Sequence, residues 1–337
     1  MSLSVEEEAA LAIQPERDAY IAIYGESAVA EYDEVLDYLR DLEQERQEKA
    51  IQLPGYSLPQ LPDTDVYERL LDAERNLASP RLLVEDYTAG VATYDDELLV
   101  IEGLAQVLFT TEHATGHMRL DAHSGLLISK EADYGTAAIG KILQQDTGQS
   151  LITPVGRQTS DANSASEHPI KDVMKTFIAR DTAKMHISLH GAKRGRVANL
   201  TDDRGFDVFI GVGDNPTEET KDAADKLAKI AKNYGLIGGI NQFFVTKEEG
   251  QPQYNEDGTL RRISFSAANP GTTRSFAQTE AERLGKPLIT IQVELSDALR
   301  ILPVDYDFHP GIDSQRRGTN LAYFFLQESI SALNQKK

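Results

Sequence analysis

The 337-residue chain contains no cysteine. That excludes disulfide staples, thiolate metal sites and cysteine nucleophiles together, so any metal ion must be held by His, Asp or Glu. Positive charge is also scarce: 34 Lys and Arg face 54 Asp and Glu, a formal net charge of −20. A field of that sign repels phosphate backbones and anionic headgroups, and no basic patch with interleaved aromatics offsets it. Neither nucleic acid nor a membrane surface is therefore an expected partner. No run approaches the roughly 20 apolar residues of a membrane span. The start, Met1-Ser2-Leu3-Ser4-Val5-Glu6-Glu7-Glu8, has neither the basic nor the apolar segment of a secretory leader, so the expected location is cytoplasmic. Hydrophobic residues make up 40% of the chain, enough at this length for one large domain with an appendage.

What is present reads first as helix. From Val5 to Ala50 the chain is rich in Glu, Ala, Leu and Tyr, with Tyr32, Val35, Leu36, Leu39 and Leu42 on one helical face. The proline-rich connection Leu53–Pro62 follows, then a second helix from Thr64 to Leu77. Residues 1–80 thus form an N-terminal helical arm, which either packs on the main domain or joins two copies in a homo-oligomer. Beyond Pro80 short strands and helices alternate. Strands are predicted at Leu82–Val84, Leu98–Glu102, Leu104–Thr111, Ser150–Val155, Lys184–His190, Phe206–Val212 and Pro287–Glu294. Helices are predicted from Asp133 to Gly148, after Pro169, from Asn215 to Gly235 and over Asn320–Leu333, with a hairpin-like turn at Asn255–Gly258. Such alternation implies a mainly parallel sheet covered on both sides, a three-layer α/β domain over residues 81–337. The run Phe209–Asn215 lacks the third glycine of a dinucleotide loop and fits a strand-to-helix turn.

The chemistry gathers around Lys184-Met185-His186-Ile187-Ser188-Leu189-His190-Gly191. A two-residue period places His186, Ser188 and His190 on one face, with Ile187 and Leu189 on the other. In a regular strand His186 and His190 lie about 13 Å apart, too far to share an ion. His190, beside Gly191 at the expected strand end, is the site candidate, and His186 reads as a hydrogen-bonded core histidine. Two further apolar strands end in polar residues, His113 after Leu104–Thr111 and Glu294 after Pro287–Val293. A carboxylate ending a buried strand costs free energy unless it is paired, solvated or employed. Two histidines and a carboxylate make the usual first shell of a catalytic zinc.

Glu112-His113-Ala114-Thr115, Asp133-Tyr134-Gly135-Thr136-Ala137-Ala138, Arg157-Gln158-Thr159-Ser160-Asp161-Ala162-Asn163, Ser188-Leu189-His190 and Gln292-Val293-Glu294 together resemble the N-formylglutamate amidohydrolase family, distant relatives of the zinc carboxypeptidases. The resemblance implies a phosphorylase/hydrolase-like sandwich of the zinc-exopeptidase type, and zinc or another divalent metal as cofactor. His113 and His190 would be metal ligands and Glu294 the acid–base carboxylate. Two acids compete for the third ligand position: Asp133 fits the family's acidic position, and Glu112 adjoins a ligand. Asp133 also suits a helix N-cap. Arg157, Asp161 and Asn163 resemble the segment in which an arginine precedes an Asp-x-Asn-Arg group. Here Ser164 replaces the final arginine, leaving Arg194, Arg196 or Arg274 to grip a substrate carboxylate. The implied activity is hydrolysis of N-acyl amino acids, N-formyl included, or similar small amides by metal-bound water. The alternatives are a carboxypeptidase-like enzyme acting on short peptides and a non-catalytic binding protein that keeps the fold.

Overall fold

The computed structural model describes residues 66–78, 98–103, 106–120, 127–130, 132–155, 158–192, 207–236, 238–241, 254, 267–296, 299–300 and 312–334. The expectations for the chain before Val66, for strand 82–84, for Arg157, Arg194 and Arg196, and for the turn at 255–258 lie outside these residues.

In chain order the elements are α1 (Tyr67–Ala78), β1 (Leu98–Ile101), β2 (Val107–Thr110), β3 (His117–Leu120), β4 (Leu127–Lys130), α2 (Thr136–Thr147), β5 (Ser150–Pro154), α3 (Pro169–Ile178), β6 (Met185–Ala192), β7 (Val208–Gly211), α4 (Glu218–Asn233), β8 (Gly238–Ile240), α5 (Thr273–Arg283), β9 (Ile289–Ser296) and α6 (Ile312–Asn334). Seven strands form one mixed sheet in the order β1-β5-β2-β6-β9-β7-β8, and β3 and β4 form a separate antiparallel pair. Within the large sheet β5, β2, β6 and β9 run parallel, β1 pairs antiparallel to β5 and β7 antiparallel to β9, and β8 is parallel to β7.

The alternation read from the sequence sorts the two faces. Phe109, Leu151, Ile187, Leu189, Ile210, Ile291 and Val293 enter one apolar core with α1, α2, α4 and α6. Leu108 and Ile152 point the other way, into a smaller core with α3 and α5. The molecule is thus a three-layer α/β sandwich. Helix α1 belongs to the larger core through Leu70 and Leu71, so this part of the N-terminal segment packs on the main domain. Each fully buried side chain of that size contributes about 1.5–3 kcal/mol.

Several boundaries move. His190 and Glu294 lie within their strands, which continue to Ala192 and Ser296. Helix α2 takes Gly135, in the left-handed region at φ 78°, as its N-cap with no side-chain cap, so the carboxylate of Asp133 is free of that duty. Helix α4 starts beyond Asn215, where Thr217 accepts a hydrogen bond from the Thr220 amide at 3.2 Å and Glu218 and Glu219 meet the positive end of the helix. His168 is buried, and its Nδ1 accepts from Ile170 N at the start of α3.

On the α3/α5 side the sheet carries a polar band. The register sets Ser188 between Thr110 and Gln292, His186 beside Thr290, and His190 beside Glu294. A band of buried polar side chains in the middle of a sheet costs free energy unless every group is partnered or used. The candidate centre stands at its upper end.

Candidate metal centre

Three segments meet above the strand ends. His113 follows β2 after two residues, Asp133 precedes α2, and His190 stands in β6. His113 Nδ1 and His190 Nδ1 are 3.2 Å apart. Asp133 Oδ2 is 3.5 Å from the first and 3.4 Å from the second. An ion held tetrahedrally with bonds of about 2.0–2.1 Å spaces its ligand atoms about 3.3–3.4 Å apart, so this triangle has the size that zinc requires. The two imidazole rings are inclined at 69°, which lets their in-plane lone pairs converge. Asp133 Oδ2 is buried without a hydrogen-bond partner, as a ligand atom would be. Two ring nitrogens facing each other at 3.2 Å have room for one proton between them or for one cation that takes both lone pairs.

Each histidine is backed by a carboxylate at its other nitrogen. His113 Nε2 lies 2.8 Å from Asp161 Oδ1, which also accepts the backbone amides of Asn163 and Ser164 at 2.9 and 3.2 Å. Arg119 Nε donates to Asp161 Oδ2 at 2.5 Å. His190 Nε2 lies 3.2 Å from Glu112 Oε2, off the line of an ideal hydrogen bond. Such outer carboxylates orient metal-binding imidazoles and fix their tautomer.

Charge follows the same geometry. Burial works against protonation of His113, but the carboxylates of Asp133 and Asp161 beside it raise it above its ordinary value. Burial likewise opposes protonation of His190, and Glu112, Glu294 and Asp133 together drive it well upward. Burial alone would raise Asp133, yet the two histidines hold it far below the usual carboxylate range. Glu294 goes the other way: burial, with Asp133 beside it, pushes it up to about 7 against the pull of His190, His113 and a 2.6 Å hydrogen bond from Gln292.

A second trio, His113, His117 and Asp161, also clusters. It does not fit an ion. The two rings stack at 4.4 Å and 11°, so their in-plane lone pairs run nearly parallel, and Arg119 already supplies the cation at Asp161.

The structure therefore brings together His113, Asp133, His190 and Glu294 and gives other expected residues different surroundings. Glu112 faces the back of His190, away from the three clustered atoms. Asp161 is buried behind His113. Asn163 Oδ1 accepts the Thr273 amide at 2.9 Å and so ties down the start of α5. Arg274 donates to Thr290 O, four residues before Glu294 and about 13 Å down the strand, too far to replace the arginine missing at Ser164. Among the described residues, the guanidinium groups near the centre are ones the sequence did not single out. Arg119 sits on Asp161, and Arg300 lies over Gly191 and donates to Tyr134 O at 2.9 Å. Arg119 had one legible signal, the alternation His117-Met118-Arg119-Leu120; Arg300, just past β9, had none.

Compared by sequence, the chain matches no family model and no curated protein. Among solved structures it is similar to a bacteriophage poly-gamma-glutamate hydrolase, at 12% identity and TM-score 0.38 over 70% of this chain and 88% of that one. It is similar also to an N-formylglutamate amidohydrolase from Ralstonia eutropha, at 11% and 0.40 over 71% and 99%. A metallo-carboxypeptidase from Pseudomonas aeruginosa matches at 13% and 0.34 over 71% of this chain and 61% of that one. Likeness of this degree assigns neither an activity nor a residue, and the functional reading rests on the side-chain geometry.

Proposed function

We propose that the chain is a metal-dependent hydrolase of N-acyl amino acids, N-formyl among them, or of similar small amides. The observation that carries this reading is the triangle of His113 Nδ1, Asp133 Oδ2 and His190 Nδ1 with edges of 3.2–3.5 Å beside a buried carboxyl, Glu294, poised at about 7. Zinc or another divalent ion held by these three residues supplies a Lewis acid that acidifies water and polarises a carbonyl. The protein's own part is then proton handling. Glu294 is the register partner of His190 in the next strand, so its carboxyl stands beside the ligand set. A carboxyl titrating near neutrality can take a proton from water and return it to the leaving amine, which is what amide hydrolysis needs. Gln292 holds Oε1 of Glu294, leaving Oε2 to do the exchange. Asp161 and Arg119 keep His113 in place.

The test is a panel of N-formyl and N-acetyl amino acids and short peptides, offered to zinc-loaded protein and to Glu294→Gln. Release of formate or acetate that falls about 10²–10⁴-fold in the variant, with zinc still bound, is the expected outcome. Free amino acids released from peptide C-termini instead point to a carboxypeptidase-like enzyme. No turnover of any of these amides, with zinc bound, refutes the hydrolase reading.

A further inference from the structure

Glu112 stands behind His190, outside the three ligand atoms, and its carboxylate is fully buried. It is also heavily tethered. Thr110 Oγ1 donates to Oε1 at 2.5 Å, Thr273 Oγ1 donates to the same oxygen, and Ser188 Oγ donates to Oε2 at 3.1 Å. These hydroxyls come from β2, the first turn of α5 and β6, so three elements of the fold converge on one acid. An ionised carboxylate is acceptor-only, and three hydroxyl donors match that capacity. The proton Thr110 gives to Glu112 leaves its oxygen to accept from His186 Nε2 at 2.8 Å, so His186 joins the same hydrogen-bond chain. The acceptor capacity left over on Oε2 points to one neighbour, His190 Nε2, at 3.2 Å. His190 Nε2 has no other partner among the described residues.

We infer that Glu112 is a positioning residue for His190: it keeps the ring proton on Nε2 by accepting from Nε2–H, so that Nδ1 presents its lone pair to His113 and Asp133. The inference rests on the metal-centre reading above and adds the acid that the sequence places next to a ligand. Glu112 cannot itself bind the same ion, because Nδ1 and Nε2 of one imidazole point to different sides of the ring, and Glu112 is at Nε2 while the cluster is at Nδ1. The hydroxyl tethers explain the polar band of the sheet: Thr110, Ser188 and His186 stand on its buried face because they hold a charge that must not move.

The experiment measures zinc affinity by competition with a chromophoric chelator, together with the ¹⁵N–¹H signal of His190 Nε2 in zinc-loaded protein. Wild type is expected to show a slowly exchanging Nε2–H on His190. Glu112→Gln is expected to bind zinc about 10–100-fold more weakly and to lose that protection, while the His113 Nε2–H held by Asp161 keeps its own. Equal affinity and unchanged exchange in Glu112→Gln overturn the inference and leave the metal centre standing. Wild type that binds no zinc removes both. Should Glu112→Gln fail to fold, Ser188→Ala keeps the carboxylate and removes one tether; faster His190 Nε2–H exchange supports the role, and unchanged exchange and affinity overturn it.

Discussion

His113 and His190 are held toward their protonated forms by the acids around them, and Glu294 is pushed up to about 7 by burial. A group whose folded pKa is raised stabilises the fold below its unfolded value and loses that contribution as pH rises through the folded one. For Glu294 the loss runs from its ordinary value of 4.5 up to about 7, and for the histidines it begins above 6.5. Asp133, Asp161 and Glu112 are lowered, so their contribution is complete above the ordinary carboxylate range and is lost only in acid. His117 and His186 go the other way: burial lowers both to about 4, so they gain stability as pH rises from about 4 to 6.5. Above 6.5 the groups among these that still titrate all lose stability, so metal-free protein should melt at a lower temperature at about pH 8 than at about pH 6.5. Calorimetry with a chelator present checks this, and a midpoint that rises over that window contradicts it. Sequence made His113, His190 and Glu294 legible because each ends an apolar pattern, whereas Asp133 came from the family resemblance, its place before a helix suggesting an N-cap instead. The surroundings of Asp161 and Glu112 were not legible: which nitrogen of a histidine an acid faces depends on ring orientation, and no spacing rule contains that.

At the scale of elements, β6 and β9 carry the centre, and the two-residue period of Met185–Ala192 was readable because Ile187 and Leu189 alternate with His186, Ser188 and His190. Helix α5 was not foreseen. Its buried positions are Thr273, Arg274, Ala277, Glu280 and Ala281, which give almost no apolar stripe, yet Thr273 at its start holds both Glu112 and Asn163. The short β3, β4 and β8 also escaped, having three or four residues each. Gly191 shows why one element needs a glycine. A Cβ there would lie 2.4 Å from the Arg300 guanidinium, which links the chain after His190 to the carbonyl after Asp133. Gly191→Ala should displace Arg300 and cost about 1 kcal/mol, the worth of the lost hydrogen bond. Arg300→Ala should cost as much, and the double variant little more, since both remove one interaction. Urea unfolding of the three proteins decides it; simple additivity would show that Arg300 does not bridge these segments.

For the whole molecule, the alternation of strands and helices implied a three-layer sandwich because a parallel sheet must be covered on both faces. Strand order was beyond reach, since β1 and β7 turn antiparallel through connections that no local pattern encodes. The layered fold has one consequence for function: it brings residues 113, 133, 190 and 294 from distant parts of the chain to one spot, so the centre exists only in the folded state. Metal binding is then folding free energy, and loading should raise the melting temperature. No helix among the described residues is long and apolar enough to cross a membrane. The net charge of −20 makes weak, unspecific attraction of cations a real competitor to a specific site, so stoichiometry decides more than affinity. The most direct measurement is the metal content per chain by plasma mass spectrometry, on protein loaded with zinc and then dialysed, for wild type and for His190→Ala. The account predicts about one zinc per wild-type chain and almost none in the variant. Equal retention by the two proteins, or none by either, would contradict it.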